Sequence, residues 1–228
     1  MSKRIIVAID GPAGAGKSTL ARRVAARLGF LYIDTGAMYR AVALSALRHG
    51  VSLDEPLKLE QLAAASEIDL TPAGGVLLNG EDVSAAIREP EISQAASKVS
   101  AVAGVRRAMV ALQRRLGETH SIVMEGRDIG SVVFPQAQVK VFLDADPGER
   151  SARRVAELRQ KGLDADPAEV EREMRERDTR DRTRAEAPLL QAPDAIYLDT
   201  TGLTPDQVEE ELLRIVRERT SNGKEVDR

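Results

Sequence analysis

Residues 11–18 read GPAGAGKS, and this stretch decides the fold class. It matches the pattern G-x-x-x-x-G-K-[ST] at every fixed position, and Thr19 follows it. In such a phosphate-binding loop, or P-loop, glycines let backbone N–H groups turn toward phosphate oxygens, and the start of the next helix adds positive potential. We therefore predict that Lys17 lies beside the β- and γ-phosphates of a nucleotide and that the Ser18 hydroxyl ligates Mg²⁺.

The residues on either side of the loop supply the context that the motif requires. Residues 5–9 form a continuous apolar run rich in β-branched side chains, which is typical of a strand buried on both faces. From Lys17 the apolar side chains recur with helical spacing until Gly29, a helix stop. Residues 31–33 follow as a second short strand. Strand, helix and strand at this spacing predict a βαβ unit.

The remaining apolar runs extend this unit to an α/β fold. Residues 122–124, 139–143 and 196–198 are typical of buried strands, so we predict a five-stranded parallel sheet flanked by helices. Residues 68–84 differ, because Asn79-Gly80 stands between two short extended runs. That pair predicts a two-residue hairpin turn, and hence a small antiparallel insertion.

Composition excludes several other kinds of protein. The 228 residues carry a net charge of −3, which argues against a general binder of nucleic acid. The absence of cysteine excludes disulfides and thiolate metal sites, and two histidines are too few for a histidine-rich metal cage. No run approaches the roughly 18 apolar residues that cross a bilayer, and Asp10 ends the first apolar run too early for a signal peptide. We expect a cytoplasmic protein with no membrane partner.

Two polar segments besides the P-loop directly follow predicted strands. They are residues 34–40, DTGAMYR, and residues 125–128, EGRD. Because ligands bind at the carboxyl ends of strands in open α/β sheets, Arg40 and Arg127 can form a second anion site there. A kinase needs such a site for its acceptor, whereas a hydrolase, a switch or a motor does not. Alternatively, Arg40 is a solvated helix residue, and Arg127 forms a local ion pair with Asp128. Glu125 either holds Mg²⁺ through water or orients its loop.

A highly charged segment at residues 175–184, RERDTRDRTR, contains five arginines and three acids. Because a nucleic-acid-binding arm normally carries a block of one charge, this near balance argues against such an arm. Helical spacing puts three of the arginines on one face, Arg177, Arg180 and Arg184. We interpret Arg177 and Arg184 as parts of a lid that closes over phosphates, and Arg175 and Arg182 as solvated.

Five segments together resemble the bacterial cytidylate kinases in their order and separations. They are GPAGAGKST, DTGAMYR, AASKVSAVAGVRRA, EGRDIGSVVFP and RERDTRDRTRAEAPL. The resemblance covers about residues 5–216 and implies a P-loop nucleoside monophosphate kinase that transfers the γ-phosphoryl group of ATP to CMP or dCMP with Mg²⁺. It also implies a division into a core, a monophosphate-binding insertion and a lid. The corresponding segments are 1–62 (core), 63–98 (insertion), 99–150 (core), 151–187 (lid) and 188–228 (core).

The resemblance also implies roles for individual residues. The ATP site would comprise Gly11, Pro12, Ala13, Gly14, Ala15, Gly16, Lys17, Ser18 and Thr19. The CMP site would comprise Thr35, Arg40, Ser97, Arg106, Arg127, Asp128, Arg177, Asp181 and Arg184. Among these, Arg40, Arg127 and Arg177 would bind the acceptor phosphate, and Asp181 would bind the ribose. The cytosine ring would be surrounded by Ser97, Arg106, Asp128 and Arg184. The catalytic residues would be Lys17, Arg127 and Arg177, with Arg153 and Arg154 in the lid.

Other functions also fit the P-loop. The first is a kinase of the same fold that acts on UMP, dTMP, shikimate or gluconate, which would need a different acceptor pocket. The second is a regulatory or nucleic-acid-associated ATPase, whose hydrolysis a polymer would stimulate. We expect small-molecule partners only, and a monomer, because no long exposed apolar helix face is evident.

Overall fold

The computed structural model describes residues 4–71 and 74–221. The outermost parts of the predicted core segments, 1–3 and 222–228, lie outside the described residues, as do residues 72–73 of the predicted insertion. The strands are β1 (Ile6–Asp10), β2 (Leu31–Asp34), β3 (Ile68–Leu70), β4 (Val76–Leu78), β5 (Glu81–Asp82), β6 (Ile122–Gly126), β7 (Val139–Asp144) and β8 (Ile196–Asp199). The helices are α1 (Lys17–Leu28), α2 (Thr35–Arg48), α3 (Pro56–Ala65), α4 (Pro90–Val99), α5 (Ala103–Thr119), α6 (Pro147–Gln160), α7 (Pro167–Thr183) and α8 (Pro205–Ser221), with a 3₁₀ turn at Ala86–Arg88 and a π-helical turn at Ile129–Val133.

The main sheet has five parallel strands in the order β2-β6-β1-β7-β8, as predicted. Strand β1 lies at the centre, so the P-loop leaves the sheet in the middle of its carboxyl edge. In register, Asp10 lies beside Gly126, and Asp34 beside Glu125. The ends of β1, β2 and β6 therefore meet, and the polar segments that follow them share one edge of the sheet.

Alternating side chains of the strands bury both faces of the sheet. Val7 and Ile9 of β1 pack on one face with Leu212 of α8 and the apolar side of α1. Ala8 points to the other face and packs with Met124 of β6. A continuous apolar strand is what burial on both faces requires, and this explains the run at residues 5–9.

The small antiparallel insertion is present as predicted. Strands β3, β4 and β5 form a three-stranded sheet, in which Leu78 pairs with Glu81 across the turn. Asn79 and Gly80 both have positive φ, 52° and 82°, as a two-residue hairpin turn of this kind requires. Ile68 joins the apolar cluster formed by α2 to α5, which holds the insertion beside the start of α2.

Helices α6 and α7 form the charged segment that the sequence predicts to be a lid region, with a small apolar cluster between them that also includes Ala13 of the P-loop. The helical prediction is correct for Arg177 and Arg180 but wrong for Arg184. Helix α7 ends at Thr183, and Arg184 has an extended conformation with ψ 142°. The chain turns back here, because Leu189 N–H donates to the Asp181 carbonyl at 2.7 Å. Within the described ranges, no helix is both long and apolar enough to cross a membrane.

Gly11 marks the closest approach of two strand ends, and we expect Gly11→Ala to be strongly destabilising. A Cβ at this position would lie 1.9 Å from the Leu143 carbonyl oxygen, and the φ of Gly11 is +148°. We expect a loss of about 3 kcal/mol or more in the free energy of unfolding, measured by urea denaturation. Gly50→Ala is the matched control, since its φ is +63° but its Cβ would meet open space. It should cost only about 1–2 kcal/mol, and equal losses would contradict the close-approach explanation.

Candidate active site

A cavity of about 300 Å³ lies at the carboxyl edge of the main sheet, between the P-loop, α2, α5 and α7. Most of the predicted site residues line it: Ala13, Gly14, Lys17, Ser18, Thr35, Arg40, Arg106, Arg127, Asp128, Arg177, Asp181 and Arg184. The other predicted residues do not line it, namely Gly11, Pro12, Ala15, Gly16, Thr19 and Ser97. Five of these six belong to residues 11–19, the P-loop and the threonine that follows it, so the fold brings the predicted residues together around one cleft.

The P-loop has the geometry of an anion site. Gly14 and Gly16 adopt positive φ, 74° and 88°, and Gly16 precedes α1 without a side-chain cap on the helix N–H groups. These groups are therefore available to phosphate oxygens. The Lys17 ammonium is buried and donates to the Pro12 carbonyl at 2.6 Å. Burial, together with the nearby Arg127 guanidinium, lowers the pKa of Lys17 to about 7, so a bound anion would stabilise its charged form.

Glu125 connects the end of β6 to the P-loop. Its buried carboxylate accepts a hydrogen bond from the Tyr32 hydroxyl at 2.7 Å, and the Ser18 side chain lies near it. Burial, and then the neighbouring Asp34, raise the pKa of this carboxyl above its usual range. The Ser18 hydroxyl and the Glu125 carboxylate are hard oxygen donors of the type that Mg²⁺ prefers. This arrangement is compatible with both hypotheses for Glu125, that it holds Mg²⁺ through water and that it orients its loop.

Three arginines that line the cavity, Arg40, Arg127 and Arg177, outnumber the two acids beside them, Asp34 and Asp181. Arg40 pairs with Asp34 at 2.9 Å, and Arg127 Nε pairs with Asp181 at 2.8 Å. Among the described residues, the buried Nε atoms of Arg40 and Arg177 find no hydrogen-bond acceptor. Burial, and then repulsion from Arg127, lower the pKa of Arg177 to about 10. Unpaired donors and mutual repulsion together indicate a site for an anion.

A buried ion pair lies at the far end of the cavity. Arg106 pairs with Asp128, and both side chains are almost fully buried. Arg184 Nη2 lies 3.7 Å from the same carboxylate, and it is buried without a hydrogen-bond acceptor among the described residues. The Arg106 guanidinium also stacks 5.8 Å from the centre of the Tyr39 ring. Two arginines, one carboxylate and one aromatic ring thus surround a space suited to a flat polar group.

Of three other residues suggested by the resemblance, two do not line the cavity. Ser97 is buried, and its hydroxyl accepts from Arg180 of α7 at 3.3 Å. Arg153 donates to the Thr200 carbonyl at 2.8 Å, between β8 and α8. Arg154 does line the cavity. In this conformation Ser97 contacts the lid region and does not face the cavity.

Asp10 is a residue of this site that sequence reasoning missed. At the end of β1, its buried carboxylate accepts from the backbone N–H groups of Ile129 and Gly130, both at 2.7 Å. Burial raises the pKa of Asp10 to about 6 despite these hydrogen bonds. Asp10 therefore fixes the loop that carries Arg127 and Asp128 to the base of the P-loop. The only sequence signal was an acid between a buried strand and a glycine-rich loop.

Comparison with known proteins identifies the family. The cytidylate kinase family profile matches residues 7–218. The chain belongs to the cytidylate kinase family. It is 61% identical to the cytidylate kinase of Solibacter usitatus, over 98% of this chain and 97% of that protein. It is 52% identical to the cytidylate kinase of Syntrophotalea carbinolica, over 96% and 94% of the two chains.

The fold also resembles a solved structure of low sequence similarity. A crystal structure of an uncharacterized protein from Eubacterium ventriosum superposes with a TM-score of 0.52 at 14% identity, over 92% of this chain and 97% of that one. At such low identity the match shows a similar fold and nothing about activity. The resemblance of the five sequence segments to cytidylate kinases is confirmed by the family assignment.

Proposed function

We propose that this protein transfers the γ-phosphoryl group of ATP to CMP or dCMP, which yields ADP and CDP or dCDP. The names of its relatives support this activity. The observation that carries the proposal is the set of arginines beside the P-loop whose buried N–H groups lack acceptors among the described residues. A hydrolase would need a water-positioning group at that point, whereas a kinase needs donors for a second phosphate.

The acceptor phosphate would lie among Arg40, Arg127 and Arg177. Each guanidinium lines the cavity, and two of them have a buried Nε free to donate. A phosphate dianion would accept these hydrogen bonds and relieve the repulsion that lowers the pKa of Arg177. Because Lys17 lines the same cavity, the two phosphates would approach each other there. Stabilising the charge that spreads over the transferring group is the main task of such a site.

The donor phosphates would occupy the P-loop, residues 11–19, with Lys17 as their cation. When bound, Mg²⁺ would withdraw charge from the phosphate oxygens, and Ser18 and Glu125 are the residues suited to hold it. The Lys17 amino group donates to the Pro12 carbonyl. It would exchange this carbonyl for a phosphate oxygen, so its nitrogen is already positioned for the donor.

The far end of the cavity fits a cytosine ring. Cytosine presents an O2 and an N3 acceptor and an N4 amino donor, whereas uracil presents an N3–H donor and an O4 acceptor. Arg106 and Arg184 can donate to the acceptors, and Asp128 can accept from the amino group. Ser97 can take part if Arg180 releases its hydroxyl. Asp181 would bind the ribose with its carboxylate, which already accepts from Arg127.

We further propose that the five sequence segments act as core, insertion, core, lid and core. The insertion would border the acceptor, since Arg88, Ser93 and Ala96 line the cavity. Helices α6 and α7 would close over both nucleotides to exclude water.

We propose that the enzyme is cytoplasmic, as the sequence predicts. We also propose a monomer, since one chain supplies every residue of the proposed site.

The lowered pKa of Lys17 predicts that donor binding takes up a proton. In the free protein this pKa is about 7, and phosphate binding should raise it. Above pH 7 the free lysine loses its proton, so the Kd of Mg²⁺·AMP-PNP should rise by up to about tenfold per pH unit. Titration calorimetry at pH 8 in buffers of different ionisation enthalpy should detect the uptake of nearly one proton. Lys17→Met should show no uptake and about 10² or more loss in kcat. An uptake that persists in Lys17→Met would assign the proton to another group.

The base pocket predicts a strong preference for cytosine. In an assay of ADP release with a panel of monophosphates, DNA and RNA, kcat/KM for CMP should exceed that for UMP by about 10² or more, because each unpaired buried contact costs about 1–3 kcal/mol. Arg184→Met should lose much of this preference. Arg182→Met is the control, because Arg182 is exposed and lies outside the cavity. Use of UMP within about tenfold of CMP would refute the base pocket, and ADP release driven by a polymer alone would refute the kinase proposal.

A further inference from the structure

Arg150 joins three parts of the chain that are distant in sequence. It lies in the first turn of α6 and is only 3% exposed. Its Nη1 donates to the carbonyl of Ala13 in the P-loop at 3.0 Å and pairs with Asp178 of α7 at 2.7 Å. Its Nε donates to the Ala145 carbonyl, just after β7, at 3.1 Å. One guanidinium therefore holds the P-loop, the end of β7 and the lid helix α7 in fixed positions.

The P-loop and α7 are also packed against each other. Ala13 contacts an apolar cluster that includes Val170 and Met174 of α7. A Cβ at Gly14 would lie 2.8 Å from the end of the Met174 side chain and 2.9 Å from the Arg150 carbonyl oxygen. Even a methyl group would not fit between the P-loop and its neighbours at Gly14, and packed interiors transmit small displacements. A shift of the P-loop therefore displaces α7 as well.

The same side of α7 faces the proposed acceptor site one turn further on. Arg177 directly precedes Asp178, and Asp181 lies one helical turn later and pairs with Arg127. The helix is thus held through Asp178 on the donor side and through Asp181 on the acceptor side. The rotation of α7 about its axis sets where Arg177 and Asp181 point.

The ion pair between Arg150 and Asp178 contributes little net stability to the contact between α6 and α7. Asp178 Oδ1 is buried and meets no hydrogen-bond donor among the described residues, although Oδ2 is paired with Arg150. Burying ions costs as much as their attraction returns, so an apolar contact of the same volume would stabilise the fold at least as well. The pair between Arg150 and Asp178 can respond to the charge of phosphates that bind in the P-loop. Such a role explains a buried ion pair better than a contribution to stability alone.

We propose that Arg150 and Asp178 are positioning residues that couple the donor site to the acceptor site. Phosphates on the P-loop would favour the position of α7 in which Arg177 and Asp181 face the acceptor. The inference rests on the proposed function and adds to it a specific route of coupling. Coupling of two binding equilibria is reciprocal, so each nucleotide tightens the binding of the other by the same factor.

The test measures the Kd of CMP by calorimetry with and without saturating Mg²⁺·AMP-PNP. In the wild-type protein the donor analogue should lower the CMP Kd about fivefold or more. In Arg150→Met and in Asp178→Asn the factor should fall below about twofold. The double variant should lose no more coupling than either single variant, because both act through one contact. Arg175→Met is the control and should keep the wild-type factor, since Arg175 is an exposed residue of α7 that pairs with Glu171 at 2.6 Å.

The outcomes separate the inference from the proposed function. If both variants bind each nucleotide more weakly but keep the wild-type coupling factor, the pair is merely structural and the inference is overturned. A wild-type factor near one would also overturn it, although CMP and ATP binding would still support the kinase. Failure of the wild-type protein to bind CMP under either condition would instead overturn the proposed function. Should Arg150→Met fail to fold, Asp178→Asn still decides the matter, because it removes the charge of the pair with a side chain of nearly the same size and shape.

Discussion

Electrostatic repulsion among cations that share one partly buried cavity is the interaction on which the proposed activity depends. Lys17 and Arg177 both have lowered pKa values, first because burial disfavours their charge and then because Arg127 lies close to each. Asp34 and Asp181 offset only part of this charge. A protein tolerates such an arrangement when a ligand supplies the missing negative charge. Two phosphate groups brought together there would each relieve the repulsion that the cations otherwise feel.

The fold concentrates these cations by topology. In a parallel sheet all the strands end at one edge, so short loops after β1, β2 and β6 bring their side chains to a common point. Two further constraints make the arrangement rigid. Gly11 permits a backbone approach to Leu143 that no other residue allows, and Asp10 binds two N–H groups of the loop after β6. Backbone contacts therefore fix the loops at this edge of the sheet, and side chains of α6 and α7 complete the lining of the cavity.

The features that could be predicted from the sequence are those that depend on neighbours along the chain. The P-loop, the five strands, the hairpin at Asn79-Gly80 and most of helix α7 follow from local patterns of apolar, glycine and charged residues. The strand-end rule then predicted correctly that Arg40 and Arg127 share an edge with the P-loop. The end of α7 was less predictable. A tertiary hydrogen bond to the Asp181 carbonyl turns the chain at Arg184, whereas the helical charge pattern continues through that residue.

The features that could not be predicted are contacts between residues far apart in sequence. Nothing near Asp10 indicates that its carboxylate will meet N–H groups about 120 positions later. Nothing near Arg150 indicates that it will contact both Ala13 and Asp178. Ser97 was assigned to the cytosine ring by resemblance alone, and its contact with Arg180 depends on how α7 lies against α4. Local sequence patterns identify the residue types at a site, while tertiary packing determines which residues they contact.

The central claim is that the arginines on the acceptor side of the cavity bind a phosphate group. Titration calorimetry that compares CMP with cytidine tests this most directly, because the two ligands differ only in that group. Hydrogen bonds to charged groups contribute about 1.5–3 kcal/mol each, so two such bonds predict that CMP binds about 10² or more tighter than cytidine. Binding of cytidine within about threefold of CMP would contradict the account, since the arginines would then contribute nothing to recognition of the acceptor.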